Sequence, residues 1–216
     1  MPYKKFDSQA VSKLSPNGEN ILFQSNSFNF FNPRLKIRNV VVSKDIKLIH
    51  QWLEKSRKLL GRQRKLSIAY LTNNYVHKLV GGKMQLFCVL KEAYPITFVE
   101  ITPASKTWIK AFFEINVLDY CLKFLWPPEE DNLVSKNDPV KLTSAVVICI
   151  VEILLQFESV ERLITYVENK QSNAVQIFEN AGFEIISNSL TRYKKVYTML
   201  IYTKSSKPIS KSIQDY

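Results

Sequence analysis

The sequence is poor in the residues that build metal centres and covalent frameworks. Its 216 residues include only two histidines, His50 and His77, and three cysteines, Cys88, Cys121 and Cys149. A cluster of imidazole ligands is excluded by number, and no metal is assigned. The cysteines stand far apart, each within an apolar string. They show neither zinc-site spacing nor a disulfide framework. Reduced thiols in a cytoplasmic protein are the expectation. Long hydrophobic runs are also missing. The longest, Ala145 to Leu155, is interrupted by Glu152 and is too short to cross a bilayer. The N-terminus is polar and has no apolar signal core. Glycine is scarce too, with five in the whole chain.

What is present is a packed globular protein. Hydrophobic residues make up 46% of the chain, with 10 Tyr and 13 Phe. That composition excludes an intrinsically disordered chain. The net charge of +11 suits a polyanion, whether nucleic acid, an anionic membrane or a phosphate-rich cofactor. Lys and Arg are spread along the chain, and no nucleic-acid motif is found, so nucleic acid is not an expected partner.

The most structured stretch runs from Asn173 to Glu184. Asn173 is placed to cap a short helix, with Gln176 three residues on. Val175, Ile177, Phe178 and Ala181 give that helix an apolar face. Gly182 is placed to stop it in the left-handed conformation. A strand, Leu163 to Glu168, precedes it, and another opens at Phe183. Upstream, Arg34 to Val42 reads as a strand, and Ser43 is expected to cap a helix that ends at Gly61. A second helix covers about residues 66–79. Strands follow at 85–90 and 96–101. Trp108 to Ile115 fits helix or strand. Tyr120 to Trp126 reads as a strand stopped by Pro127 and Pro128. An apolar helix spans about 140–157, and a long strand spans 193–202. The domain plan is an N-terminal extension over 1–30, one domain over 31–204 and a flexible basic tail over 205–216.

Asn173, a helix, then Ala181-Gly182-Phe183-Glu184 resembles the C-terminal half of the GNAT superfamily of N-acetyltransferases. Several segments resemble its siderophore-biosynthesis branch, whose members acylate hydroxylysine-type amines. Asp45, Leu48 and His50-Gln51-Trp52 are similar to a first-helix signature. Phe98-Val99-Glu100-Ile101 is similar to a strand motif, with Asp119 following at family-like distance. Glu168 to Asn173 keeps a family spacing. Lys194 to Leu200 resembles the closing strand. The match covers about residues 35–202 and is shared with aminoglycoside N-acetyltransferases. The fold it implies is α/β: a single GNAT-like domain with a mixed, mostly antiparallel central sheet flanked by helices.

The resemblance also implies a chemistry. Acetyl-CoA would be the co-substrate, and a small-molecule amine, primary or hydroxylated, the acceptor. The pantetheine arm would lie along Tyr120 to Trp126, touching Phe124 and Trp126, beside the strand that ends at Glu168. The pyrophosphate would sit on backbone amides at the start of the 140–157 helix, near Lys141, Thr143 and Ser144. Asn173 and Phe178 would contact the cofactor. Glu100, Lys123 and Glu158 are the candidate catalytic groups. Glu100 either faces a cleft, as amine holder or base through a water, or lies on an outer sheet face. Trp52 reads as core. A homodimer is compatible with this plan.

The sequence departs from the pattern in several places. Lys136 to Ser144 contains no glycine where the superfamily carries a glycine-rich turn, and Asp138 would repel phosphate. Lys123 stands where a histidine would. Phe178 replaces a tyrosine that protonates a thiolate. These losses support a second reading, a weak or inactive acetyltransferase fold that binds a ligand or protein. Charge alone supports a third, a polyanion binder.

Overall fold

The computed structural model describes residues 21–24, 35–59, 65–128, 139–157, 159–169 and 172–204. The chain forms two compact units. Strands β4 and β5 each run from one unit into the other, at Ile101/Thr102 and Lys123/Phe124.

The first unit holds the described residues up to Ile101 together with Phe124 to Pro128. Strand β1 is Ile21–Gln24, β2 is Leu35–Asn39, β3 is Gln85–Lys91 and β4 is Tyr94–Pro103. They pair in sequence order, all antiparallel. β1 supplies the early strand that the 1–30 extension left open. Helix α1 spans Val42–Leu59 and α2 spans Ile68–Val80. Ile46, Ile49 and Trp52 recur at helical spacing and are buried, as are Leu71 and Tyr75 of α2. They pack on Leu86, Cys88 and Phe98. Trp52 is core, with its ring centroid 5.1 Å from that of Phe98. Ser67 caps α2, accepting from the Tyr70 amide at 3.1 Å.

The start of α1 differs from the expected cap. Ser43 is exposed in the first turn. Val41 takes the cap position: its carbonyl accepts from the Lys44 and Asp45 amides at 2.9 and 2.8 Å. Asp45 answers by accepting from the Val41 amide at 2.8 Å, the return half of a capping box. Its carboxylate also takes both arms of Arg38, at 2.7 and 2.8 Å. An acidic side chain thus does from inside the helix what a serine was expected to do from its edge.

The second unit holds Thr102–Lys123 and the residues from Val134 onward. Trp108–Ala111 is a short 3-10 turn, which resolves the helix-or-strand ambiguity there. β5 is Asp119–Leu125, β6 is Arg162–Glu168, β7 is Glu184–Arg192 and β8 is Lys195–Thr203. Helix α3 is Pro139–Leu155 and α4 is Ser172–Asn180. β5 and β6 are parallel, while β6 and β7 both pair antiparallel with β8. Among the described ladders one is parallel and the other five antiparallel, the mixed and mostly antiparallel α/β architecture expected. α4 begins one residue before Asn173, so Asn173 lies exposed in the first turn and is not the cap. Gly182 does stop the helix with φ of 84°. The Phe183 amide returns to the Phe178 carbonyl at 3.0 Å, the closing bond of a Schellman end. The last strand begins at Lys195, later than expected, because Tyr193 and Lys194 form the hairpin turn.

One ion pair fixes where the parallel strands meet. Asp119 is fully buried and is register partner to Arg162. The guanidinium donates to both carboxylate oxygens, at 2.8 and 2.5 Å, and the Asn116 amide adds a third bond at 2.7 Å. The hydrogen bond to Asp119 raises the Arg162 pKa further, so the guanidinium stays charged. All three cysteines are buried free thiols. Burial, offset by the charge of Arg38 and reinforced by that of Asp45, pushes the Cys88 thiol up to about 12. No helix among the described residues is long and apolar enough to cross a membrane.

Two outcomes follow. Arg162→Ala leaves a buried carboxylate unpaired and is expected to cost about 3–5 kcal/mol in a urea melt; a loss below about 1 kcal/mol contradicts the constraint. Glu152, in the last turn of α3, has its pKa raised by burial. The folded chain therefore holds that proton more tightly than the unfolded chain. The stability this gives is complete below the ordinary glutamate pKa and is lost as pH rises through the raised value. Glu152→Gln is expected to raise the melting temperature at pH 8 and not at pH 4. Parallel curves for the two proteins across that range count against it.

Candidate functional site

The site is built around the end of one ladder. β5 and β6 register at Asp119↔Arg162, Tyr120↔Leu163 and Cys121↔Ile164. The Thr165 hydroxyl then donates to the Leu122 carbonyl at 3.2 Å. Among the described residues no ladder pair joins the strands beyond that point, though β6 continues to Glu168. Parallel strands that part in this way leave main-chain groups facing a gap. An extended chain can add there by main-chain hydrogen bonding.

α3 begins in the same unit. Pro139 sits at its first position, where a missing amide costs nothing. The following amides are the unsatisfied donors that every helix start presents, and they suit an anion. Leu142, Thr143 and Ser144 are buried. The Ser144 hydroxyl donates to the Ile177 carbonyl at 3.4 Å, tying the N-terminal part of α3 to the middle of α4. The phosphate-binding capacity of this turn is therefore that of its backbone. The Lys141 side chain, the preceding turn and Glu158 lie outside the described residues.

The remaining predicted residues fall into three groups. In the second unit, Glu168 forms an ion pair with Lys195, and Asn173 is exposed on the first turn of α4. Phe178 is buried edge-on to Phe183, centroids 5.3 Å apart. Lys123 is exposed on β5. Thus Glu168, Asn173, Thr143 and Ser144 share one unit with the parting strands. In the first unit, Phe124 and Trp126 stack with centroids 5.5 Å apart and rings inclined by 5°. Glu100 lies there too, and not on the outer sheet face. It shares the helix-covered side of β4 with Phe98 and accepts from the Tyr75 hydroxyl at 2.8 Å. Burial first, then the charge and hydrogen bond of Glu100, raise the Tyr75 pKa far above the phenol range. Tyr75 thus stays a donor and Glu100 its acceptor. Among the described residues no group of His, Cys, Asp and Glu is arranged to hold a metal ion.

Sequence reasoning missed two features. Tyr75 was placed on a helix, but its partner lies 25 residues away. The other is an aromatic cluster in the second unit. Trp108 meets Tyr166 at 5.0 Å and Tyr197 at 5.6 Å, and Arg192 lies 4.8 Å over the Trp108 ring.

No protein-family profile matches the chain, and no curated protein matches it in sequence. Solved structures do match in shape. An uncharacterised protein from Bacillus halodurans superposes with a TM-score of 0.69 at 15% identity, covering 85% of this chain and 90% of that one. The aminoglycoside acetyltransferase AAC(6')-Ib in complex with coenzyme A gives 0.63 at 17% identity, covering 78% and 94%. The fold is that of these acetyltransferases. Spermidine N-acetyltransferase from Vibrio cholerae, in complex with CoA and spermine, gives 0.62 at 14% identity, covering 80% and 96%.

Tyr75→Phe tests the Glu100 geometry. Removing a buried donor from a carboxylate is expected to cost about 1–3 kcal/mol in chemical denaturation. An unchanged midpoint and slope would show that Tyr75 does not hold Glu100.

Proposed function

We propose that the protein is an N-acetyltransferase that moves an acetyl group from acetyl-CoA to the amine of a small molecule. The observation that carries this reading is the parting of β5 from β6 in the unit where α3 begins. The parted strand can take the amides of a pantetheine arm, and the helix start can take its pyrophosphate. Neighbours of the same fold were solved with coenzyme A bound. When bound, acetyl-CoA supplies the activated thioester. The chain's own residues must align the amine with it, take up its proton and stabilise the oxyanion.

Under this reading, Asn173 on the exposed first turn of α4 contacts the cofactor arm, and the backbone amides after Pro139 meet the pyrophosphate. Phe124 and Trp126 remain candidate contacts to the arm, with Lys141 adding charge and Thr143 and Ser144 shaping the turn. Phe178 stays in the cofactor set through its packing. Glu100, oriented by Tyr75, is the candidate base, with Lys123 and Glu158 as further catalytic candidates. A hydroxylated amine of the siderophore-precursor kind, a cytoplasmic setting and a homodimer belong to the same proposal, supported by the sequence resemblance. One observation favours the second reading, a weak or inactive acetyltransferase fold that binds a ligand or protein. Phe178 has no hydroxyl with which to protonate a departing thiolate.

Titration calorimetry with acetyl-CoA, and with desulfo-CoA as control, tests both. Binding in the micromolar range is expected. Asn173→Ala is expected to weaken it about tenfold, the worth of one charge-assisted or well-placed hydrogen bond, with the melting temperature unchanged. No heat up to millimolar cofactor rejects the acetyltransferase reading and leaves the second, with a ligand or partner other than acetyl-CoA.

A further inference from the structure

The aromatic cluster beside β6 lies on a definite face. Glu168 registers with Tyr197, Tyr166 with Met199 and Ile164 with Ile201. On the adjoining strand Leu190 registers with Tyr197 and Arg192 with Lys195. Side chains alternate along a strand, so Tyr166, Glu168, Tyr197, Lys195 and Arg192 share one face. Trp108 packs against Tyr166 and Tyr197 and so covers part of it. The opposite face carries Leu163 and Tyr202. Tyr202 there meets Phe183, beyond the end of α4, at 5.6 Å and feels the charge of Glu152 on α3. The helices therefore occupy one side of the strands. A second reactant approaching the parted strands has the Trp108 side left to it.

That side is basic. The hairpin joining β7 to β8 carries Arg192, Lys194 and Lys195, and the carboxylate of Glu168 is already matched by Lys195. Arg192 is built into the wall. Its guanidinium lies 4.8 Å from the Trp108 centroid and 4.7 Å from that of Tyr193. One terminal nitrogen donates to the Tyr193 hydroxyl at 3.4 Å, and a guanidinium with five N–H donors keeps others on its rim with which to grip a carboxylate or phosphate. The turn is also strained in a way that serves this arrangement. Tyr193 and Lys194 have φ of 49° and 62°, where turns of this kind ordinarily use glycine or asparagine. The strain sets the Tyr193 ring, 81% exposed, over Arg192.

We propose that the acceptor amine itself carries an anionic group, a carboxylate or a phosphate, and that Arg192, stacked by Trp108 and Tyr193, receives it. This rests on the acetyltransferase reading. Spermine and the aminoglycosides are polycations, and a wall of this charge disfavours them.

The test uses the full chain with acetyl-CoA bound, and pairs of amines that differ only in the anion: L-lysine against cadaverine, and phosphoethanolamine against ethanolamine. The readouts are acceptor binding by calorimetry and CoA release. The first pair reads carboxylate recognition and the second phosphate. At least one pair is expected to favour its anionic member by about tenfold or more. Arg192→Gln is expected to remove that preference while acetyl-CoA still binds. Arg192→Lys, which keeps the charge but loses the rim of donors, is expected to restore it only in part. Equal or tighter binding of cadaverine and ethanolamine, failure of all four amines at millimolar concentration, or an unchanged preference in Arg192→Gln overturns the proposal. If acetyl-CoA itself does not bind, the acetyltransferase reading fails first, and this proposal falls with it.

Discussion

A fully buried carboxylate must be matched or it destabilises the fold, and in this protein the match sets the register of the candidate site. Asp119 and Arg162 are register partners at the first step of the one parallel ladder described. Their bonds, with that of the Asn116 amide, give both oxygens of the buried aspartate hydrogen-bond partners. A slip of one residue would separate the pair and turn every side chain of β6 to the opposite face. Both the closed start of the β5/β6 ladder and the point where it ends are thereby counted from a single interaction.

That count explains how the second unit divides its work. Leu163 and the other residues of its face go to the helices, while Tyr166 and Glu168 turn to the side of Trp108. The Thr165 hydroxyl, bonded to Leu122, marks the last link between the strands. Beyond it the ordinary use of strand backbone, pairing with a neighbour, is withheld on that side of β6. The Ser144 side chain bonds the Ile177 carbonyl and holds α3 against α4, so that this side chain is spent on structure and the backbone amides at the start of α3 are left for chemistry.

Much of the fold was legible because its signals are local. Gly182 ends α4 in the left-handed conformation because only glycine adopts it without strain. The apolar spacing of Ile46, Ile49 and Trp52 fixed the buried face of α1. Misplacements came where a longer reach decided the outcome. Ser43 looked like a cap, but Asp45 could satisfy both the Val41 amide and Arg38, which a serine cannot. Trp108 lacked a clear period because a 3-10 turn has no extended face to display. The turn at Tyr193 and Lys194 carries no glycine or asparagine, so the sequence gives no sign that it reverses there. The site was less legible than the fold. Glu100 could be singled out as a charge in an apolar strand, but its orientation depends on Tyr75, which no spacing along the chain could connect to it. Lys195 and Glu168 likewise meet only through strand pairing.

The three cysteines have a practical consequence. They are buried free thiols, and the most strongly perturbed, Cys88, holds its proton far into the alkaline range. Thiolate is the species that reacts with disulfide reagents, and it is scarce in such surroundings. A colorimetric thiol reagent added to the folded protein would accordingly meet almost no background from the chain. Any thiol released by an acyl-transfer reaction could be followed continuously, and a sudden rise in protein-derived signal would itself report unfolding.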